Sequence, residues 1–423
     1  MTKIKFKTDR KSNRFIKTLL TLALAAVLSL GSLTTAFAAG VPIYGTEANP
    51  AQAAITKMLQ MPEGTTTPAA DFTFVVAKKS MNGSTAAANL ALMPAIAGQT
   101  VSFTSTDAGT TDAAGLKSVP KEVTIPTNFT AAGVYTYTIT ETSGTYTIAN
   151  AFNEQMTYSG GSYDITFYVE NGTGGPYVQA IATTIVLTDN PGQTAADKVD
   201  ATPGGTGVAG DYSKLIFTNT YIKNTGGANP TDSVLSISKA VAGAYADQTK
   251  YFTYNLTVTR AATLPAGTVY KAYVLDGANT VVTSTNHAAA ASIKTDAGSR
   301  PYIEVVSGTP ITVNLKHGEK LSFTDAAVGT KYVAAEQAAA DYTPTAALVV
   351  NGTALNLSGT VGTSLSTAER LIGEAANSAA FTNTFKSVTP TGIALDNLPF
   401  IMIIVLAAGV FAAFIVAKSR KRA

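Results

Sequence analysis

The sequence predicts an all-β protein: two tandem Ig-like β-sandwich domains, between an N-terminal signal peptide and a C-terminal transmembrane helix. Three observations carry this. The interior is rich in Thr, Val, Tyr and Ala, and Gly, Asn, Asp and Pro cut it into short stretches, the pattern of many strands and turns that builds a sandwich. One order of strand motifs occurs twice along the chain. The two ends carry apolar runs of different kinds.

The elements follow in order. Lys3, Lys5, Lys7, Arg10, Lys11, Arg14 and Lys17 accompany an apolar run from Phe15 to Leu33, and Ala36-Phe37-Ala38 fits a small-x-small cleavage site, so residues 1–38 read as a secretory signal peptide. A first domain is expected over 45–223, with strands at Asp71–Ala77, Gly133–Glu141, Ser162–Glu170, Val178–Leu187 and Ser213–Ile222. Asn224-Thr-Gly-Gly-Ala-Asn-Pro230 reads as a linker. A second domain is expected over 231–387, with strands at Val234–Val241, Tyr251–Thr259, Thr268–Leu275, Lys320–Thr324, Lys331–Glu336 and Ala379–Phe385. In the tail, 388–423, an apolar stretch from Leu398 to Ala417 is long enough to span a bilayer, and Lys418, Arg420, Lys421 and Arg422 hold its end inside.

Charge and composition narrow the function. The signal peptide holds seven Lys/Arg and one acid, and the region from Gly392 onward four and one; the remainder has 19 basic and 25 acidic residues, about −6. The basic clusters are targeting signals, so no nucleic-acid partner is expected. With no cysteine the exported domains have no disulfide staple. Two histidines, His287 and His317, leave little for a Ser/His or zinc site. Gly204-Gly-Thr-Gly207 lacks the Lys-Ser/Thr of a phosphate loop and reads as a turn. No cofactor, no metal site and no turnover enzyme are expected.

The repeated motifs carry the chemistry. Lys57 lies in Ala-Ile-Thr-Lys-Met-Leu and Lys239 in Leu-Ser-Ile-Ser-Lys-Ala-Val; Asn219 lies in Ile-Phe-Thr-Asn-Thr-Tyr and Asn383 in Ala-Phe-Thr-Asn-Thr-Phe. Alternate side chains of a strand share a face. Lys57 therefore sides with Ile55 and Leu59, and Lys239 with Ile237 and Val241. Asn219 sides with Phe217 and Tyr221, and Asn383 with Phe381 and Phe385. An aromatic strand follows each lysine (Phe72-Thr-Phe74; Phe252-Thr-Tyr254), and a strand ending in glutamate comes later: Glu141 with the parity of Tyr135, Tyr137 and Ile139, Glu336 with that of Tyr332 and Ala334. Each residue alone has an ordinary reading: a snorkelling lysine, a turn asparagine, a solvated strand-end glutamate. Six in matching order in two halves point to a reaction. Desolvation favours a neutral amine and a neutral carboxyl. The amine attacks the asparagine Cγ and the carboxyl relays protons to the departing ammonia. The product is an internal isopeptide bond, formed once per site and driven by the proximity that folding imposes. Each lysine lies near the start of its half and each asparagine near the end, so a bond between them would carry a pull applied at the termini.

These residues resemble those of Gram-positive major (backbone) pilins with Spy0128-like, FctA-type isopeptide domains, from about Ala53 to the C-terminus. By that resemblance Lys57–Asn219 with Glu141 and Lys239–Asn383 with Glu336 are the bond-forming sets. Val388-Thr-Pro-Thr-Gly392, followed by an apolar stretch and a basic end, resembles a sortase sorting signal: Pro390 precedes a cut between Thr391 and Gly392, and the threonine passes through a thioester to an amine. The motif departs from the common Leu-Pro-x-Thr-Gly form. The resemblance points to Lys214, in Tyr-Ser-Lys-Leu-Ile-Phe, as the pilus-linking lysine, with Lys198 and Lys223 as runners-up; strand parity opposite to Phe217 and Asn219 also turns Lys214 outward. The partners implied are a pilin-polymerising sortase, neighbouring copies of the chain and minor or tip pilins, with the membrane a partner only before cleavage. The place implied is a pilus shaft on the Gram-positive cell wall. The alternative is a wall-anchored monomeric surface protein or adhesin.

Overall fold

A computed structural model describes residues 43–149, 151, 153–204, 211–386 and 398–420. The expected signal peptide and the sorting residues Pro390, Thr391 and Gly392 lie outside the described residues.

Before the 224–230 segment the strands are β1 (Ile43–Tyr44), β2 (Ala54–Pro62), β3 (Ala70–Met81), β4 (Gln99–Phe103), β5 (Thr110–Thr111), β6 (Leu116–Thr124), β7 (Gly133–Glu141), β8 (Glu154–Thr157), β9 (Ser162–Asn171), β10 (Pro176–Leu187), β11 (Lys198–Val199) and β12 (Ile216–Lys223), with a short helix α1 (Ala87–Leu92) after β3. A seven-stranded sheet runs β1-β10-β9-β7-β3-β4 with β11 beside β10, and a five-stranded sheet runs β5-β6-β2-β12-β8. Side chains of both sheets, among them Phe72, Phe74, Tyr137 and Phe167 of the first and Ile55, Leu59, Phe217 and Tyr221 of the second, form one buried core. The lobe is thus a sandwich.

After the segment come β13 (Leu235–Ala242), β14 (Phe252–Thr259), β15 (Val269–Leu275), β16 (Ile293–Thr295), β17 (Pro301–Val306), β18 (Ile311–Leu315), β19 (Lys320–Phe323), β20 (Lys331–Glu336), β21 (Tyr342–Val350), β22 (Thr353–Ser358), β23 (Leu365–Ser366), β24 (Arg370–Leu371) and β25 (Ser378–Phe385). An eight-stranded sheet runs β16-β17-β15-β19-β13-β25-β21-β22; a second runs β18-β14-β20-β23, with β24 beside β20. They enclose a second, separate core that includes Ile237, Tyr254, Leu256, Tyr332 and Phe381.

Period-two burial builds these strands. β13 buries Leu235, Ile237, Lys239 and Val241 and leaves the side chains between them half-buried, and β25 does the same with Ala379, Phe381 and Asn383. The charge and the amide thus occupy places in the alternation that an apolar side chain would fill. Turn chemistry sets the neighbours: Asn351 and Gly352 both have positive φ (47° and 78°) in the two-residue loop joining β21 to β22, as that tight hairpin requires.

Among the described strand pairs two are parallel, β2 with β12 and β13 with β25. These are the strands that carry the lysines and the asparagines. The lobes meet at a polar joint centred on Glu374, which accepts from the Thr66 N–H at 2.7 Å and from Lys223 Nζ at 2.9 Å. The Val328 N–H donates to the Lys223 carbonyl (2.8 Å) and Asn224 Nδ2 to the Thr324 carbonyl (3.2 Å). At the C-terminus, α2 spans Leu398–Arg420. Its described apolar side chains run from Phe400 to Ile415, and among the described residues no helix is long and apolar enough to cross a membrane.

Candidate functional site

Register brings lysine and asparagine together. In the β2–β12 pair Lys57 lies opposite Phe217, and Asn219, opposite Leu59, is two residues further along. In the β13–β25 pair Lys239 lies opposite Phe381 and Asn383 again comes two residues later. With a rise of about 3.3 Å per residue and strands about 4.8 Å apart, the diagonal is about 8 Å, within reach of a lysine side chain. A slip of one residue would turn the asparagine to the other face of the sheet. Both lobes keep the same offset.

The glutamate arrives from the facing sheet. Glu141 ends β7 and Glu336 ends β20, each across the core from its lysine strand. In the first lobe Lys57 Nζ donates to Glu141 Oε2 at 2.7 Å and Asn219 Nδ2 donates to Glu141 Oε1 at 2.7 Å. In the second Lys239 Nζ and Asn383 Nδ2 both donate to Glu336 Oε1, at 2.7 and 2.6 Å. All four charged side chains are 0% exposed, so ordinary hydration cannot pay for their ionisation. Burial pulls the Lys57 and Lys239 amines down to about 8, against the upward pull of the paired carboxylates. Burial likewise pushes Glu141 and Glu336 up, against the downward pull of the lysine charge. The shifts converge on a proton shared between amine and carboxyl, with a nucleophilic amine as one of its states.

The aromatic strand supplies the lid. The Phe72 ring lies 4.7 Å from Lys57 Nζ and the Phe252 ring 4.1 Å from Lys239 Nζ. Phe74 packs on Phe217 (5.0 Å between centroids) and Tyr254 on Phe381 (5.1 Å). The sequence marked these strands as aromatic; that their rings cover the amines shows only in three dimensions.

The structure thus brings together all six residues singled out for crosslinking, in two sets of three. Two further groups lack a sequence signal, Ser159 and Asp189. Ser159 donates its backbone N–H to Asn219 Oδ1 at 2.7 Å. Asp189 accepts from Ser159 Oγ (3.0 Å) and from the Gly160 N–H (2.7 Å). In the second lobe Asn383 Oδ1 and Glu336 Oε2 are buried and, among the described residues, have no hydrogen-bond partner. Of the candidate linking lysines, Lys198 is exposed on β11, Lys214 is half-buried just ahead of β12, and Lys223 is paired with Glu374. Among the described residues no group of His, Asp and Glu is placed to hold a metal.

Residues 53–222 match the family model of the Spy0128-like isopeptide containing domain, and residues 233–384 match that of a domain of unknown function, DUF7601. The resemblance expected from the sequence is thereby shown for the first lobe. Among solved structures, the major pilin from Streptococcus pyogenes is similar over 80% of this chain and 99% of its own, at 20% identity and a TM-score of 0.31. The T-13 major pilin from Streptococcus pyogenes covers 82% of this chain and 100% of its own, at 17% identity and a TM-score of 0.30. The pilus-presented adhesin Spy0125 (Cpa) covers 54% of this chain and 37% of its own, at 15% identity and a TM-score of 0.22. No curated protein matches.

Proposed function

We propose that this chain is a major pilin subunit whose two Ig-like lobes, 45–223 and 231–387, each weld their first strand to their last by a self-formed Lys–Asn isopeptide bond. One observation carries the reading: a buried glutamate joins a buried lysine and a buried asparagine of adjacent parallel strands, and the set occurs twice. A Lys/Glu ion pair alone would explain a pair of charges. It would not explain an asparagine placed at the same offset in both lobes.

The chemistry follows from the contacts. Glu141 takes a proton from the Lys57 ammonium. The freed Nζ attacks Asn219 Cγ, forming the N–C bond and moving the carbonyl electron pair onto Oδ1. Glu141 then passes a proton to Nδ2, the Cγ–Nδ2 bond breaks and ammonia departs; the carboxylate collects the second proton from Nζ. Lys239, Asn383 and Glu336 repeat the steps. Folding supplies the proximity.

Export by the signal peptide, retention by the C-terminal apolar stretch, sortase cleavage after Thr391 and transfer to Lys214 of the next copy complete the proposal, with minor or tip pilins as further partners. The finished shaft stands on the cell wall. The protein acts as structure, with no turnover.

Intact-mass measurement on the purified chain tests the bonds. The expected deficit is two ammonia molecules; Glu141→Ala and Glu336→Ala should each restore one. No deficit in the unsubstituted chain would refute both bonds. The rate of bond formation should also depend on pH in a defined way. Below the raised carboxyl range both amine and carboxyl carry protons and no nucleophile exists. Above about 8 the amine has lost its proton and the pair has none left for the leaving group. Timed refolding of newly synthesised chain across pH should give a maximum that falls away above about 8; a rate still climbing at pH 10 would remove the glutamate from its acid role.

A further inference from the structure

The two crosslinking sites are not equal, and the difference lies at the carbonyl oxygen where negative charge develops. In the first lobe β8 pairs with β12 only from Thr157, opposite Thr220, to Glu154, opposite Lys223. Beyond Thr157 the chain leaves the ladder, and the Ser159 N–H, two residues on, turns to the Asn219 side chain, 2.7 Å from Oδ1. Ser159 is itself buried. Its position is fixed from behind by Asp189, whose carboxylate holds both Ser159 Oγ and the Gly160 N–H, while the Gly161 N–H donates back to Ser159 Oγ at 3.1 Å.

In the second lobe β21 pairs with β25 from Tyr342, opposite Phe385, to Val349, opposite Ser378, and the residue opposite Asn383 is Pro344. Proline has no N–H to give. Asn383 Oδ1 is buried and, among the described residues, has no hydrogen-bond partner.

We propose that the Ser159 backbone N–H is the oxyanion donor for the Lys57–Asn219 bond, that Asp189 is its positioning residue, and that the first lobe therefore closes its crosslink faster than the second. The inference rests on the isopeptide reading above. A preorganised N–H aimed at the developing oxyanion, in a site closed to water, contributes by removal a factor on the order of 10²–10³ in rate. The same contact fixes the amide orientation: an N–H faces only the oxygen, so Nδ2 is turned to Glu141, the group that protonates the leaving nitrogen. Donor, nucleophile and proton relay come from three different segments: the turn after β8, β2 and β7. In the second lobe, lacking the donor, Glu336 must do more of the work through its own carboxyl.

Cell-free synthesis of the full-length chain, with timed quenching and peptide-resolved mass spectrometry, follows both bonds in one molecule. Replacing the Ser159 amide by a backbone ester (the α-hydroxy analogue of serine at 159) removes the N–H and keeps the side chain. The expected result is a first-lobe rate lower by roughly 10²-fold or more, a second-lobe rate unchanged, and an unmoved pH at which the first-lobe rate falls, because no charge was altered. Asp189→Ala should slow the first-lobe bond in the same direction, in a chain whose first lobe still gives a cooperative calorimetric transition. Bonds that form in the unsubstituted chain with a first-lobe rate indifferent to the ester would overturn the inference and leave the isopeptide reading intact. Absence of both bonds in the unsubstituted chain would remove the reading and the inference together.

Discussion

Asn219→Ala is expected to restore one ammonia to the intact mass and to lower the unfolding temperature of the first lobe by roughly 10–20 °C. The estimate treats the bond as a chain-entropy constraint. Joining Lys57 to Asn219 closes a loop of about 160 residues, which on the loop-closure relation for a covalent crosslink is about 5 kcal/mol. For a lobe of this size each kcal/mol moves the transition by roughly 2–4 °C. Loss of the Asn219 hydrogen bonds to Glu141 and from Ser159 adds to the cost. The substitution leaves the Lys57–Glu141 ion pair in place, so the effect is not that of an orphaned charge. Asn383→Ala should act in the same way on the second lobe, because the cores are separate. Calorimetry on the two variants should move different parts of the unfolding profile. A first-lobe transition shifted by no more than about 2 °C would mean that no covalent constraint was lost.

The second large effect is on assembly. Lys214→Ala is expected to collapse a detergent-resistant ladder of covalent multimers to monomer on an immunoblot of cell-wall extracts. Lys214 sits immediately before β12, and its backbone is pinned on both sides: its N–H donates to the Asp200 carbonyl at 2.7 Å and its carbonyl accepts from Gln193 Nε2 at 3.2 Å. A fixed backbone anchors the root of the side chain beside β12, which limits the space the amine samples for a loaded enzyme. Lys223 is engaged with Glu374 at the joint between lobes, so its substitution should weaken that joint and leave the ladder. Lys198, exposed on β11, is the more accessible control. A ladder that survives Lys214→Ala and disappears with Lys198→Ala would move the linkage to β11; no ladder from the unsubstituted chain would remove the shaft reading.

Much of this was legible in one sequence because strand parity is a local property. Lys57, Lys239, Asn219 and Asn383 could be placed on core faces from their neighbours alone, and the structure buries all four. Strands such as Gly133–Glu141 and Lys331–Glu336 have the bounds that the alternation of their side chains indicates. Other elements escaped for physical reasons. The hairpin of β21 and β22 contains the Asn351-Gly352 turn, yet Pro344 and the alanines around it lower β propensity and hide the strand. β6 half-buries most of its side chains and shows little alternation. Ser159 and Asp189 could not be found at all: the N–H that matters belongs to the backbone, and its placement depends on where β8 leaves its neighbour, 60 residues away in sequence from the asparagine it serves. Register, which decides whether a lysine and an asparagine meet, is likewise a relation between distant strands.

The like direction of β2 and β12, and of β13 and β25, has one more effect. Polypeptide comes into each sandwich at one pole and departs from the opposite pole; strands running against each other would have sent it back to where it began. Successive sandwiches are therefore threaded in series, and each adds its long dimension to the distance the molecule covers.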